Sequence, residues 1–237
     1  KAAWLGRASY AHRGLHGDGR VENSPAAFAA AIERGLGIEC DVQRSSDGQA
    51  MVFHDWELGR LTDDDAPFAA RSAAELQLLC LCGGQDRIPS LRDVLAQVGG
   101  QVPLLIEVKS RRDSRIAALC LAVRRDLEGY RGDHAVMSFD PRVSRWFATH
   151  SPQTVRGLVV TEEGARTLTG HFRRHAALWH ARPDFLAYDV RDLPSGFASA
   201  QRGRGLPLLT WTVRSAEQRA RARQYADAPI AEGAGVV

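Results

Sequence analysis

The sequence predicts an α/β fold, a (β/α)8 TIM barrel with a small insertion after the second barrel strand. Strand-like and helix-like segments alternate through almost all of the 237 residues, and eight strand-like runs can serve as barrel strands. These runs are 9–12, 37–42, 102–108, 135–139, 155–160, 185–189, 206–213 and 228–231. An open doubly wound sheet is the alternative. The barrel is favoured because the strand count closes and because no glycine-rich dinucleotide motif follows the first strand.

The segments between the strands begin with recognisable helix starts. Ser24 followed by Pro25 combines an N-cap residue with proline at the first helical position. The stretches SLRD from Ser90 and SAEQ from Ser215 resemble capping boxes. Apolar residues recur at helical spacing through 113–130, which predicts a further helix there.

The connection between the second and third barrel strands is unusually long. It forms a predicted insertion over about 43–101, with a strand-like run at 50–53 and the polar stretch DWELGRLTDDDAPFAARSAAEL. An insertion after the C-terminal end of a strand lies on the face where barrel enzymes have their active sites. No internal repeat or low-complexity linker interrupts the chain, so we predict one domain over 1–237.

Composition restricts the classes of partner. Hydrophobic residues make up 44% and charged residues 25%, and the net charge of +3 gives no nucleic-acid signature. No apolar run is long enough to span a bilayer, and the first ten residues lack the apolar segment of a secretory signal. Cys40, Cys80, Cys82 and Cys120 lack zinc-knuckle spacing, so we expect buried or half-buried thiols in a reducing compartment. The expected location is therefore the cytoplasm, and the oligomeric state stays open.

Two carboxylates lie close together in the second barrel strand. Glu39 and Asp41 in GIECDVQ are two residues apart, so their side chains point to the same face of the strand. Adjacent buried carboxylates repel each other and lose hydration, which requires a cation or several hydrogen-bond donors. For an isolated Glu-x-Asp, a salt bridge to a helix would be the favoured interpretation.

A second charged pair follows an apolar run in PLLIEVKS. Glu107 and Lys109 share a face at the C-terminal end of the third barrel strand, where barrel enzymes place functional groups. With Glu39 and Asp41, Glu107 completes an oxygen-ligand set suited to Mg²⁺ or Ca²⁺. Zinc fits less well because cysteine and histidine ligands at the usual spacing are absent.

Two histidines also follow strand-like runs. His12 and His54 can act as acid and base near neutral pH. Arg13 and Lys109 are donors suited to a phosphate group. Together with the carboxylates, these residues indicate metal-assisted cleavage of a phosphoester.

Other histidines and acids have ordinary explanations. His171 and His175 have the i, i+4 spacing of a helical metal site, but without a carboxylate partner they indicate a helix with a basic solvent face. Asp189 and Asp192, near the end of the sixth strand, are predicted to be turn or salt-bridge residues.

The sequence resembles the glycerophosphodiester phosphodiesterase family over most of its length. The matching pieces are HRG from His12, ENS from Glu22, GIECDVQRSSDGQAMVFHD, RIPSLRDVL, VPLLIEVKS and LPLLTWTVRSAEQ. The resemblance implies a TIM barrel with the insertion after its second strand and a divalent cation as cofactor. It departs near the end, where family members often have a Gly-Val-Asp-x-Ile-x-Thr-Asp run and this chain has YADAPIAEG. Glu232, at that strand end, has no assigned role.

The resemblance also implies roles for individual positions. The matching residues are catalytic His12 and His54, metal-binding Glu39, Asp41 and Glu107, and substrate-binding Arg13, Lys109 and Trp211. The Trp211 match, to an aromatic residue near the glycerol side of the substrate, is the softest.

The function implied is hydrolysis of glycerophosphodiesters, such as deacylated phospholipids, to glycerol 3-phosphate and an alcohol. The substrate is thus a small-molecule phosphodiester. Cleavage of lysophospholipids or sphingolipids is a related alternative, which the polar insertion disfavours. A non-catalytic barrel would lack at least one of the histidines or carboxylates, and none is missing. A metal-assisted aldolase or isomerase is the third alternative. The leaving alcohol, the order of the two histidines and the choice between water and a glycerol hydroxyl as nucleophile stay open.

Overall fold

The computed structural model describes residues 1–82, 84–111 and 115–236. Within these ranges there are nine strands: β1 (Tyr10–Ala11), β2 (Gly37–Arg44), β3 (Ala50–Val52), β4 (Leu104–Val108), β5 (His134–Ser138), β6 (Val155–Val160), β7 (Phe185–Asp189), β8 (Leu208–Val213) and β9 (Ala228–Ala231). The α-helices in the same ranges are α1 (Pro25–Glu33), α2 (Ala73–Leu76), α3 (Leu91–Val98), α4 (Ile116–Asp126), α5 (Pro141–His150), α6 (Leu168–Ala181), α7 (Gly196–Gly203) and α8 (Ala216–Tyr225). The strands other than β3 form a closed parallel barrel with helices between them, so the predicted (β/α)8 fold is confirmed.

Strand positions follow the apolar runs closely, whereas helix ends are less well predicted. Strands β6, β7 and β9 have the predicted bounds. Helix α4 is shorter than the predicted segment 113–130, whose first residues lie outside the described ranges. It ends at Asp126 because Gly129 takes a positive φ of 83°, a left-handed conformation that cannot continue a right-handed helix.

The chain forms two compact units, of which one comprises residues 11–134. In this unit β2 pairs in parallel with β4 and in antiparallel with β3. Helix α3 contacts α1 and α4, so it serves as the crossover helix between β2 and β4 although it falls inside the predicted insertion. The prediction of one domain with an insertion over about 43–101 stays a prediction.

The inserted segment has a small hydrophobic core of its own. Its fully buried members are Met51, Phe53, Leu58, Phe68, Leu76, Leu81 and Ile88. The rings of Phe53 and Phe68 stack with centroids 5.4 Å apart. The expectation for the thiols is wrong in part, because Cys80 and Cys82 in this segment are exposed while Cys40 is buried. A polar surface sequence thus covers an apolar interior.

The predicted helix starts form, with one difference. The Ser24 hydroxyl accepts a hydrogen bond from Ala27 N at 3.1 Å, and Ser90 forms a complete capping box with Asp93. The Ser215 hydroxyl caps α8 as predicted, but the reciprocal bond is absent: the side-chain oxygen of Gln218 accepts from Arg214 N at 2.7 Å. The side chain of Gln218 therefore holds the backbone of Arg214, the residue before the N-cap.

The other unit comprises residues 1–10 and 135–237. Strands β5 to β9 pair in parallel in chain order. The predicted salt bridges are confirmed, because Asp189 pairs with Arg191 and Asp192 pairs with Arg166. In the described part of the chain, the helices are all too short or too polar to cross a membrane.

Gly14, after β1, is a position that only glycine fits. Its φ is +77°, and a Cβ there would lie 2.9 Å from atoms of Ala27 and Phe28, both buried in α1. We expect Gly14→Ala to lower the free energy of unfolding by about 2–4 kcal/mol, from left-handed strain plus overpacking. Gly35→Ala is the matched control, since its φ is +63° and no atom lies within 4 Å of the added Cβ. Urea unfolding measures both; equal losses in the two variants would contradict the steric argument.

Candidate active site

Three carboxylates from β2 and β4 converge within the unit 11–134. Asp41 and Glu107 are direct partners in the parallel register, and Glu39 points to the same face of β2 as Asp41. One carboxylate oxygen from each of the three residues lies within 4.8 Å of the others. Glu39 and Asp41 are buried and Glu107 is half-buried. The predicted acidic set is therefore assembled.

The three carboxylates differ in how their charge is balanced. Burial, then the nearby charges of Asp41 and Glu107, raises the pKa of Glu39 well above its ordinary value. Burial also raises the pKa of Glu107 to about 7, although Lys109 opposes the shift. Burial has the same tendency at Asp41, but Lys109 and Arg13 outweigh it, so the pKa of Asp41 is lowered. The cluster thus has more negative charge than its own cations neutralise.

Arg13 and Lys109 lie against this cluster. Lys109 Nζ is 3.5 Å from Asp41 Oδ1 and 3.4 Å from Glu107 Oε1. Arg13 Nη1 donates to Glu22 Oε1 at 2.7 Å, and its Nε is 3.2 Å from Asp41 Oδ2 without hydrogen-bond alignment. Burial lowers the pKa of both cations, but the carboxylates outweigh it and the net pKa of each is raised. Both therefore stay charged.

The loop from β1 to α1 is held onto the acidic cluster through its backbone. Arg13 has a φ of +56°, and its N–H donates to Glu39 Oε2 at 3.0 Å. The same oxygen is 4.0 Å from His12 Nε2. Asn23, also at a φ of +56°, donates its N–H to Arg13 O at 2.8 Å and its Nδ2 to Asp41 Oδ2 at 3.0 Å. Asp18, at a φ of +52°, is the third left-handed non-glycine residue of this loop, and such a concentration is typical of functional sites.

His54 follows β3 and is oriented by its neighbour. Its Nδ1 is 2.6 Å from Asp55 Oδ1, so the Nδ1–H donates to the carboxylate and Nε2 is available for chemistry. Burial lowers the pKa of His54 although Asp41 opposes the shift. Arg60 bonds to Asp55 and also donates to Glu22 at 2.7 Å. Gln43 Nε2 donates to Phe53 O at 2.9 Å and to Asp55 O at 2.7 Å, which ties this segment to β2.

The comparison with family models decides which family contains this arrangement. The model of the glycerophosphoryl diester phosphodiesterase family matches residues 12–231, which is nearly the whole chain. This chain belongs to that family. The resemblance noted in the sequence is therefore confirmed.

Relatives and solved structures agree with this membership. A glycerophosphodiester phosphodiesterase of Caldanaerobacter subterraneus is 36% identical over 108 residues, or 42% of this chain and 44% of the relative. A glycerophosphodiester phosphodiesterase of Thermotoga maritima has a TM-score of 0.75 at 25% identity, covering 94% of this chain and 93% of that one. A phosphodiesterase of Oleispira antarctica, solved with the product sn-glycerol-3-phosphate, has a TM-score of 0.81 at 23% identity, covering 94% and 92%. The chain spans less than half the length of the curated relatives it matches.

The acidic cluster of this family member fits a divalent cation. Ca²⁺ and Mg²⁺ bind carboxylate oxygens at about 2.0–2.6 Å, which keeps pairs of ligand oxygens no more than about 5 Å apart. The three carboxylate oxygens of the cluster lie within 4.8 Å of one another and so meet this condition. Burial, and then the neighbouring carboxylates, raise the pKa of Glu39 and Glu107, and a bound cation would offset both effects. The donors are all oxygens, as hard cations require.

This charge balance predicts how cation binding depends on pH. A carboxylate must lose its proton to bind a cation, and the pKa of Glu107 is about 7. We expect the affinity for Mg²⁺ or Ca²⁺ to fall about tenfold per pH unit below pH about 7. Because the pKa is raised from 4.5, the metal-free fold should lose stability as pH rises from about 4.5 to about 7. Calorimetric titration and thermal unfolding across this range test both; a pH-independent affinity would contradict the charge balance.

The site also includes residues for which no role was predicted. They are Glu22, Asn23, Gln43, Asp55 and Arg60, all of which bond to a predicted site residue or its segment. Asp55 had a signal, since it directly follows His54. Arg60 had no such signal, because it lies in a polar loop.

Trp211, a predicted substrate-binding residue, lies in the other unit, on β8. Its indole Nε1 donates to Ala187 O at 3.0 Å, and its ring packs edge-to-face with Phe139. Its substrate contact stays a prediction.

Asp55 is expected to act by positioning His54. Asp55→Asn keeps the size of the side chain but replaces one acceptor oxygen with a donor, which disfavours the Nδ1–H form of the imidazole. We expect turnover to fall about 10- to 100-fold, with the acidic limb of its pH profile displaced and little change in KM. Asp63→Asn, at an exposed position of the same insertion, is the control. A loss in KM alone would indicate a different role.

Proposed function

We propose that this chain hydrolyses glycerophosphodiesters to glycerol 3-phosphate and an alcohol in a reaction that depends on a divalent cation. The observation that carries the proposal is the cluster of three carboxylates, with oxygens within 4.8 Å, against which Arg13 and Lys109 lie. An anionic cluster flanked by fixed cations is suited to hold a divalent cation, which would supply Lewis-acid chemistry for a phosphodiester.

The residues of the cluster have distinct roles in this proposal. Glu39, Asp41 and Glu107 would hold the cation, which when bound stabilises the charge that grows on the phosphoryl oxygens. Arg13 and Lys109 would donate hydrogen bonds to the same oxygens. Their raised pKa values support this role, because both remain charged at neutral pH.

The geometry supports an assignment of the two histidines. His54 has a lowered pKa, and its Nδ1–H is directed at Asp55. It is therefore neutral at pH 7 and can accept a proton at Nε2 from the attacking oxygen. His12 would then donate a proton to the departing alkoxide as the phosphorus–oxygen bond breaks.

A substrate panel tests the proposed function. Glycerophosphocholine, glycerophosphoethanolamine and glycerophosphoinositol are incubated with the protein, with and without chelator, and glycerol 3-phosphate is measured. We expect product only when Mg²⁺ or Ca²⁺ is present. Phosphorus NMR during the reaction distinguishes direct attack by water from a cyclic phosphate intermediate. Failure to release glycerol 3-phosphate from every member of the panel would overturn the proposal.

One observation favours a second substrate class, phosphodiesters whose glycerol carries an apolar acyl chain. A cavity of ≈ 380 Å³ in the unit 11–134 has Lys109 in its wall. Its other walls include the apolar side chains of Trp56, Pro67, Ile116 and Leu119. The insertion, although polar in sequence, thus contributes apolar surface beside a predicted site residue. This supports lysophospholipids as alternative substrates.

The cavity also provides a test that separates the two classes. Ala69 lines it and is exposed, so Ala69→Phe should fill the space without disturbing the core. If the cavity holds an acyl chain, this variant loses activity on lysophosphatidylcholine and keeps it on glycerophosphocholine. Ala70→Phe, exposed and outside the cavity lining, is the matched control. Equal effects on both substrates would exclude the apolar class.

A further inference from the structure

Helix α6 presents large apolar side chains to solvent. Leu168 is 81% exposed, Phe172 71% and Trp179 76%. At 3.6 residues per turn these three side chains fall within an arc of about 40° on one side of the helix, and we call them the apolar stripe. The opposite side anchors the helix, where Gly170 and Ala181 are buried. The stripe is therefore a feature of the outer face, and the predicted basic solvent face is incomplete.

The flanks of the apolar stripe are basic. The 14 residues from Leu168 to Ala181 include no Asp or Glu. Arg173 and His180 lie on one flank, and His171 and His175 lie on the other; all four are exposed. The helix is thus apolar along its centre line and cationic or neutral at its edges, which is the pattern of helices that lie in a membrane interface.

A second copy of this chain is a poor occupant of the stripe. A twofold contact with antiparallel helices would bring the flank that carries Arg173 against the same flank of its partner, which is repulsive. The helix is about 21 Å long, so one face of it covers far less than the roughly 800 Å² per partner of a stable interface. The charge pattern instead complements an anionic surface.

We propose that α6 binds the surface of an anionic lipid bilayer, lying parallel to it. Leu168, Phe172 and Trp179 would enter the headgroup region, where tryptophan is favoured. Arg173, on the flank, and Arg182, exposed at the C-terminal end of the helix, would contact lipid phosphates. The binding does not depend on the proposed hydrolytic activity.

Co-sedimentation with vesicles tests this proposal. We expect the protein to bind vesicles of phosphatidylcholine mixed with phosphatidylglycerol, to bind pure phosphatidylcholine more weakly, and to be released by high salt. Phe172→Ser and Trp179→Ser should each weaken binding at least about tenfold. Leu78→Ser, which removes an apolar side chain 68% exposed in the other unit, should leave it unchanged. These exposed positions allow substitution without loss of the fold, which thermal unfolding verifies.

A charge variant and a solution measurement complete the test. Arg173→Glu should weaken binding to the anionic vesicles, whereas Arg34→Glu, exposed after α1, should not. Vesicle binding that is absent, or that is equal for Phe172→Ser and the parent, would overturn the proposal. Lipid-free dimerisation abolished by Phe172→Ser, seen by sedimentation velocity, would assign the stripe to a second copy instead.

Discussion

Variants His12→Ala and His54→Ala are expected to turn over glycerophosphodiesters about 10²–10⁴-fold more slowly than the parent, with the fold intact. The proposed reaction moves one proton to an imidazole and one from an imidazole, and each variant removes one of these two groups. Each side chain is partly exposed beside the acidic cluster, so its removal leaves no cavity in the core.

The two histidine variants should also differ from each other. If His54 is the base, His54→Ala removes the acidic limb of the pH profile and His12→Ala removes the basic limb. His150→Ala, an exposed histidine at the end of α5, is the control and should retain full turnover. Near-normal turnover of either site variant would refute the assignment of these residues as acid and base.

Glu39→Gln and Glu107→Gln are expected to lose most of their cation affinity and at least about 100-fold in turnover. An amide has nearly the size of a carboxylate but neither its charge nor its strength as a ligand for hard cations. Although both substitutions weaken cation binding, neither should lower the stability of the metal-free protein. Burial, and then the neighbouring carboxylates, raise the pKa of both residues. An uncharged amide removes both unfavourable effects, so the melting temperature should stay level or rise.

This contrast between binding and stability makes the metal prediction specific. Calorimetric titration with Mg²⁺ or Ca²⁺ measures the affinity, and thermal unfolding in chelator measures the metal-free stability. Glu33→Gln, at the exposed end of α1, controls for the loss of a carboxylate elsewhere. A melting temperature that falls as far as cation affinity would indicate that the carboxylates are structural salt-bridge partners.

The barrel and the charged residues of the site were predictable because each depends on a local pattern. Runs of apolar residues define β6, β7 and β9 to the residue. The alternation along β2 places Glu39 and Asp41 on one face, and β4 ends in the charged residues Glu107 and Lys109. These patterns do not require knowledge of which strands pair.

The contacts that complete the site depend on tertiary structure and escaped prediction. Arg60 bonds to Glu22 and Asp55 only because the loops fold together, and no periodic pattern in the sequence predicts that contact. The left-handed backbone of Arg13 has no signal either, because arginine has no preference for that conformation. The hydrophobic core of the insertion was not predicted for the same reason, because its buried aromatic residues are separated by polar residues along the sequence.

Strand β2 carries three successive inward side chains, Glu39, Asp41 and Gln43, of which the last holds the His54 segment. Pairing one residue out of step would turn all three outward together. A chain in which β2 pairs out of register would therefore have no activity. This error could not produce molecules of intermediate activity. The catalytic rate of a refolded sample, divided by that of the native one, would then count the molecules in which this single strand has found its correct neighbours.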